Sequence, residues 1–239
     1  MVQTIGKWDY LPINPLTFRA VNEKILQKMY FLNRYNAASK LAPLLEKYKD
    51  KAGVILAVPR GGVPIGYYLA KYLGLPLDLL MTKKIGHPAN EEFAIGAVGL
   101  EGSIVDNSYD IPKDYIERES NRIRKSLAER YKEFMGDKEP LDIKNKIVIV
   151  VDDGIATGKT ILVTLKLLRA KNPKKIIVAV PVSSVEAAKQ ISKEADEFIC
   201  LYTREPFYGV GRFYKDFSQT SDEEVKLLLK NLQERGHAA

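Results

Sequence analysis

The chain has 239 residues, 46% of them hydrophobic and 28% charged, which suits one globular domain with a small extra lobe and excludes extended disorder. Lysine and arginine (37) outnumber aspartate and glutamate (30), and the formal charge of +7 favours anionic partners, either phosphorylated small molecules or nucleic acid, while also serving solubility. One cysteine and two histidines exclude an internal disulfide and make a zinc cluster or a histidine-based triad a poor reading.

The opening MVQTIGKWDYLPINP has no basic patch followed by an apolar core, so it does not read as a signal peptide. No apolar run approaches the roughly 20 residues of a membrane-spanning helix, and the expected location is cytoplasmic. The first 50 residues read as largely helical. VILAV (54–58) is a predicted strand, followed by a helix from Val63 to Leu73 that Gly74 stops. LDLLM (77–81) is the next strand. FAIGAVG and SIVD form a shorter strand pair joined at Glu101-Gly102. Residues 114–135 make a charged helix with Ile116, Ile123, Leu127, Tyr131 and Phe134 on one stripe. Its Arg122, Arg124 and Arg130 read as a solvated face. KIVIVV (146–151) is a strongly apolar strand, followed by a small-residue turn and a helix from Thr160 to Lys171. KIIVAV (175–180) is another strand. Ser183 and Glu186 have capping-box spacing and open a helix to about Ser192. FICLY (198–202) is the last strand and holds Cys200 as an unreactive packed thiol. Ser221 and Glu224 cap a final helix that ends at Gly236. Near-continuous apolar strands alternating with helices predict an α/β fold, a parallel sheet with helices on both faces.

The chemistry concentrates in VIVVDDGIATGKT (148–160). A buried strand ends in Asp152 and Asp153, and small residues then lead into a helix. Such a junction is an anion site, because first-turn N–H groups and the positive helix end face outward and small side chains admit a phosphate. Thr157 and Thr160 add hydroxyl donors. Gly158-Lys159-Thr160 invites comparison with a nucleotide-binding P-loop, but the glycine required five positions before the lysine is Asp153 here. Two carboxylates would also repel a triphosphate. They suit a neutral diol, whose hydroxyls donate to them. The segment therefore reads as a ribose 5-phosphate pocket, with the diol on the aspartates and the phosphate in the loop.

Residues 148–160 resemble the phosphoribosyl pyrophosphate signature of type I phosphoribosyltransferases, and PRGGVPIG, TKKIGHP and EEFAIGAV resemble a group of these enzymes whose substrate is poorly defined. The resemblance spans roughly residues 31–230. It implies a Rossmann-like core over a single domain, 1–239, with an N-terminal helical segment (1–50), an inserted charged helix (107–140) and a C-terminal hood and helix (203–239). It implies phosphoribosyl pyrophosphate bound by Arg60, Gly61, Gly62, Lys83, Lys84 and the run Asp152, Asp153, Gly154, Ile155, Ala156, Thr157, Gly158, Lys159 and Thr160. Asp152, Asp153 and Lys84 would be the catalytic residues. Mg²⁺ would be the cofactor, held by Asp152 and Asp153 through water and the ribose hydroxyls. The implied reaction moves ribose 5-phosphate to a nitrogenous base and releases pyrophosphate. A non-catalytic regulator binding the same ligand and a hydrolase of phosphoribosyl compounds are the alternatives. Ala156 replaces the acidic residue of the 6-oxopurine enzymes, which weakens a hypoxanthine or guanine assignment. The aromatic run 207–217 offers Phe207, Tyr208 and Tyr214 for stacking on a base, with packing against the sheet as the competing reading. A loop between Lys84 and Phe93, or the inserted helix, would close over the site. A homodimer is an expected assembly. No membrane partner is expected, and nucleic acid is set aside for want of a helix-turn-helix or an RNA-binding motif.

Overall fold

A computed structural model describes residues 31–106 and 109–236. The predicted helical character of residues 1–30, the start of the inserted segment at 107–108 and the His237 tail lie outside the described residues. In chain order the elements are α1 (Arg34–Leu41), a 3₁₀ turn (Ala42–Tyr48), β1 (Gly53–Ala57), α2 (Gly62–Leu73), β2 (Leu77–Leu79), β3 (Thr82–His87), β4 (Asn90–Gly99), β5 (Ser103–Val105) and α3 (Lys113–Met135). There follow β6 (Ile147–Val151), α4 (Lys159–Ala170), β7 (Lys175–Ser184), α5 (Val185–Glu194), β8 (Glu197–Arg204), a 3₁₀ turn (Val210–Phe213) and α6 (Asp222–Gly236).

The main sheet has five strands in the order β2-β1-β6-β7-β8, and every pairing in it is parallel. Its central strands are apolar on both faces because helices cover both. Alternate residues go to opposite sides, as the two-residue strand period requires. Ile55, Ala57, Ile149, Val151, Ile177 and Ala179 pack with α1, α2, α3 and α6. Val54, Leu56, Val148, Val150, Ile176 and Val178 pack with α4 and α5 through Ile161, Leu165, Leu168, Ala187 and Ile191. Each buried valine, leucine or isoleucine among them contributes about 1.5–3 kcal/mol of transfer free energy.

The strand order reverses direction between β1 and β6. From β1 the chain steps outward to β2, and from β6 it steps the other way to β7 and β8. At such a switch point the loops after the two neighbouring strands diverge and leave a crevice beyond their carboxyl ends, where α/β sheets bind ligands.

Three expectations need correction. The segment between Lys84 and Phe93 is not simply a loop: it begins inside strand β3, which pairs antiparallel with β4 in a second sheet, β3-β4-β5. Residues 84–93 are therefore largely a hairpin, with its register shifted around Gly86. TKKIGH lacks the apolar run of a core strand, and its pairing comes from the partner strand rather than from its own burial. The capping serine of α5 is Ser184, whose Oγ accepts from the Ala187 amide at 3.0 Å, while Ser183 still belongs to β7. Arg130 is not simply a solvated residue, as its contacts below show.

Candidate functional site

The crevice is built from the ends of β1 and β6. β6 is buried along its apolar run, and the chain leaves it at Asp152 and Asp153. Asp152 Oδ1 accepts from the Asp153 amide at 2.8 Å. Asp153 Oδ2 accepts from Arg34 Nε at 2.9 Å, and Arg34 Nη2 lies 2.8 Å from the same oxygen. Both side chains of this pair are nearly enclosed, 11% and 13% exposed. The Tyr214 hydroxyl donates to the Asp153 carbonyl at 2.7 Å. Burial, and then the Asp153 charge beside it, push Asp152 well above the usual carboxylate range. Burial also raises Asp153, while Arg34 pulls it back. The two acids thus differ: Asp153 is ion-paired to Arg34, whereas Asp152 is half-buried with its Oδ1 on the Asp153 amide.

The turn after β1 lies directly over these acids. Gly62 N donates to the Val58 carbonyl at 2.9 Å, and α2 starts there. The Pro59-Arg60 peptide is cis. A Cβ at Gly61 would sit 2.0 Å from Asp153 Oδ2, so only glycine admits the carboxylate beneath this turn.

After Asp153 the chain forms the anion loop. Gly154 passes Val182 and Val210. Ile155 is buried in the core, donates its amide to the Val182 carbonyl at 2.9 Å and accepts from the Ser184 amide at 3.0 Å. Ser184 Oγ donates to the Ala156 carbonyl at 2.6 Å. The loop is therefore pinned to β7, and Ile155 contributes only its backbone. Ala156 and Thr157 are exposed, as are Lys159 and Thr160 in the first turn of α4. No side chain caps this helix, so its first-turn amides are left to an outside acceptor. Gly158 caps it at φ +70°, a conformation that disfavours a β-carbon. A Cβ there would meet Ala187 and Ile191 of α5, not the loop interior.

Arg60 Nη1 reaches Asp222 Oδ1 at 3.3 Å, at the start of α6. Arg130 Nη2 reaches the same oxygen at 2.5 Å. Pro59, Arg60, Arg130 and Thr160 line one cavity of about 390 Å³. Lys83, Lys84, Thr157, Lys159 and Thr160 line another of about 300 Å³, between the β3-β4 hairpin and α4. Thr82 lines both, and its hydroxyl is 2.8 Å from that of Thr164. The fold thus brings the turn, the acids, the loop and the lysines to one end of the sheet.

The aromatic run divides. Tyr214 is 6% exposed, with Phe31 and Phe217 against its ring at centroid distances of 5.3 and 5.0 Å, so it packs in the core and is not open to a base. Phe207 is stacked on Phe213 at 5.4 Å. Tyr208 is exposed. Cys200 packs as expected, and burial pushes its thiol up to about 12.

Sequence reading missed Arg34, Asp222 and Ser184, and placed Arg130 on the solvated face. Arg34 and Asp153 are 119 positions apart, and nothing around Arg34 marks it. Among the described residues no group of three His, Cys, Asp or Glu converges to hold a metal, and no helix is long and apolar enough to cross a membrane.

The model of the phosphoribosyl transferase domain family matches residues 24–213. Two Mycobacterium tuberculosis proteins, each named "Putative phosphoribosyl transferase", are 36% identical over 204 residues, which cover 83% of this chain and 46% of theirs. The chain thus spans about half the length of these curated relatives. The crystal structure of TT1426 from Thermus thermophilus superposes with a TM-score of 0.77 at 36% identity, over 85% of this chain and 99% of that one.

Proposed function

Since the chain belongs to the phosphoribosyl transferase domain family, we propose that it transfers ribose 5-phosphate from phosphoribosyl pyrophosphate to a nitrogen nucleophile and releases pyrophosphate. The observation that carries this reading is the pairing, at one switch point, of the Asp152 carboxylate with the uncapped start of α4. A carboxylate accepts from ribose hydroxyls, and a short stretch of loop further on the free amides donate to a dianionic phosphate.

In this reading Thr157, Gly158, Lys159 and Thr160 hold the 5-phosphate through backbone N–H groups, and the threonine hydroxyls add donors. Asp152 fixes the diol. Asp153 is a positioning residue: held by Arg34 beneath Gly61, it sets the spacing between the turn and the end of β6. Arg60 and the Gly61 amide face the departing pyrophosphate, Gly62, whose own amide is bonded to the Val58 carbonyl, allows its close approach, and Lys83 and Lys84 approach from the hairpin. Displacement at the anomeric carbon builds positive charge on the ribose and negative charge on the leaving group, so prepositioned donors at the turn stabilise the transition state. The hydrogen-bond donors present suit the leaving group, and the carboxylate suits the ribose side.

The donor set fits Mg²⁺ carried mainly by ligand oxygens and water, because Asp153 Oδ2 is committed to Arg34 and Asp152 Oδ1 already accepts from the Asp153 amide, which leaves few carboxylate oxygens for the ion. Bound there, the ion would neutralise charge on the diphosphate. Of the aromatic candidates, Tyr208 and Phe207 remain for an acceptor base. A cytoplasmic location and a homodimer belong to the same proposal.

Isotope-labelled phosphoribosyl pyrophosphate, incubated with Mg²⁺ and pooled bases, tests it. A labelled nucleotide is expected. Ribose phosphate alone would make the protein a hydrolase, and binding without turnover would make it a regulator; either result overturns the transferase reading.

A further inference from the structure

The helix between the second sheet and β6 ends against the pyrophosphate turn. α3 buries Ile123, Leu127, Tyr131 and Phe134, and that register turns Arg130 toward the cavity shared with Pro59, Arg60 and Thr160. We propose that Arg130 is a second guanidinium of the pyrophosphate site, held beside Arg60 by Asp222 of α6; this rests on the phosphoribosyl pyrophosphate reading above.

Three observations carry it. Arg130 is held on several sides. Its Nη2 bonds Asp222, its Nη1 donates to Glu133 Oε2 at 2.6 Å, and its guanidinium lies 4.3 Å over the Phe134 ring. Glu133 is itself held by Lys226 of α6 at 3.0 Å. An arginine fixed in this way loses little side-chain entropy when an anion arrives. Second, the two guanidiniums meet on one carboxylate oxygen. Asp222 therefore sets their spacing but does not saturate them. A guanidinium has five N–H donors, and these contacts use one on Arg60 and two on Arg130. Third, the charged side chains among those lining the cavity are Arg60 and Arg130, both positive. Planar forks at two positions match the oxygens of a diphosphate, which accept bidentate pairs. Asp222, held below the usual carboxylate range chiefly by its bond to Arg130, stays ionised and keeps both arginines in place. It is a positioning residue.

The test is calorimetric titration of the full chain, with Mg²⁺ present, by inorganic pyrophosphate and separately by ribose 5-phosphate. Arg130→Gln is expected to weaken pyrophosphate binding at least about ten-fold and to leave ribose 5-phosphate within about two-fold, the loss expected for charge-assisted bonds to one ligand only. Retained ribose 5-phosphate binding also shows that the variant is folded. Arg130→Lys, which keeps the charge and loses the fork, is expected to fall between the wild type and Arg130→Gln. Asp222→Asn is expected to weaken pyrophosphate alone, by less than Arg130→Gln does. Arg118→Gln, from an exposed position near the other end of α3, is expected to change neither titration. Unchanged pyrophosphate affinity in Arg130→Gln, or no pyrophosphate binding by the wild type, would overturn the assignment. Failure of the wild type to bind ribose 5-phosphate would instead overturn the functional reading beneath it.

Discussion

Two regions meet at the crevice and are built in opposite ways. The proposed anion loop, from Asp152 to Thr160, is one contiguous stretch between a strand and a helix, and the groups it would offer a phosphate are largely backbone amides. The cation set that faces it is assembled from three helices: Arg34 from α1, Arg130 from α3, and Asp222 from α6 as the link to Arg60. The first region depends on local geometry, held by Gly158 and by the bridge to β7. The second depends on packing among distant elements. A change in the loop should therefore alter phosphate binding directly, whereas in the cation set a change at Arg34 should first be felt in the stability of the enclosed Asp153 and a change at Arg130 in pyrophosphate binding.

The strongest disruption is expected in the second region. Arg34→Gln leaves Asp153 enclosed without its partner and is expected to cost about 3–5 kcal/mol in urea unfolding at neutral pH. Asp153→Asn in the same chain should restore part of that loss. A cost near zero would mean that the pair adds nothing to the fold.

Next comes the loop. Gly158→Val places a β-branched residue at φ +70°, with its Cβ 3.1 Å from Ala187 Cβ and 3.3 Å from Ile191 Cδ1. Backbone strain of about 1–2 kcal/mol and overpacking of about 1–3 kcal/mol act together. Urea unfolding is expected to show a loss of about 2–5 kcal/mol, with ribose 5-phosphate binding abolished in titration. The blockage comes from displacing the loop against α5, because the new side chain points away from the phosphate.

Asp152→Asn should separate stability from binding. The Asp152 carboxyl titrates above its ordinary range in the folded protein. Its protonated form therefore favours folding, and that contribution is lost as pH rises from the unfolded to the folded value. Asparagine is expected to raise the stability of the free protein at neutral pH. It is also expected to weaken ribose 5-phosphate by about 1.5–3 kcal/mol through loss of charge-assisted bonds. In the wild type, acidification should start to weaken ribose 5-phosphate binding at a pH where an ordinary carboxylate is still ionised. In Asp152→Asn that component should vanish, leaving the titration of the phosphate itself near pH ~6. A variant with the wild-type pH profile would exclude Asp152 from the diol.

Lys159 should matter least. It is exposed in the first turn of α4, and Lys159→Ala should change ribose 5-phosphate affinity by less than about 1 kcal/mol. ATP binding that depends on Lys159 would instead restore the P-loop comparison.

Residue pattern alone was enough for the parallel core and for the strand–loop–helix junction at 152–160. Near-continuous apolar strands must bury both faces, and a strand ending in Asp152-Asp153 before small residues and a helix leaves few other structures. β3 escaped notice because its residues are half-buried and draw their pairing from β4. Tyr214 looked available in an aromatic run, yet its ring is buried against Phe31 and its hydroxyl against Asp153. Which aspartate is ion-paired, which arginines meet at Asp153 and Asp222 and which aromatics remain exposed were settled by packing in three dimensions. Those outcomes are set by side chains far apart in the chain that must neutralise or bury one another. Local spacing encodes where a backbone N–H points, but it does not encode which distant charge will come to rest beside it.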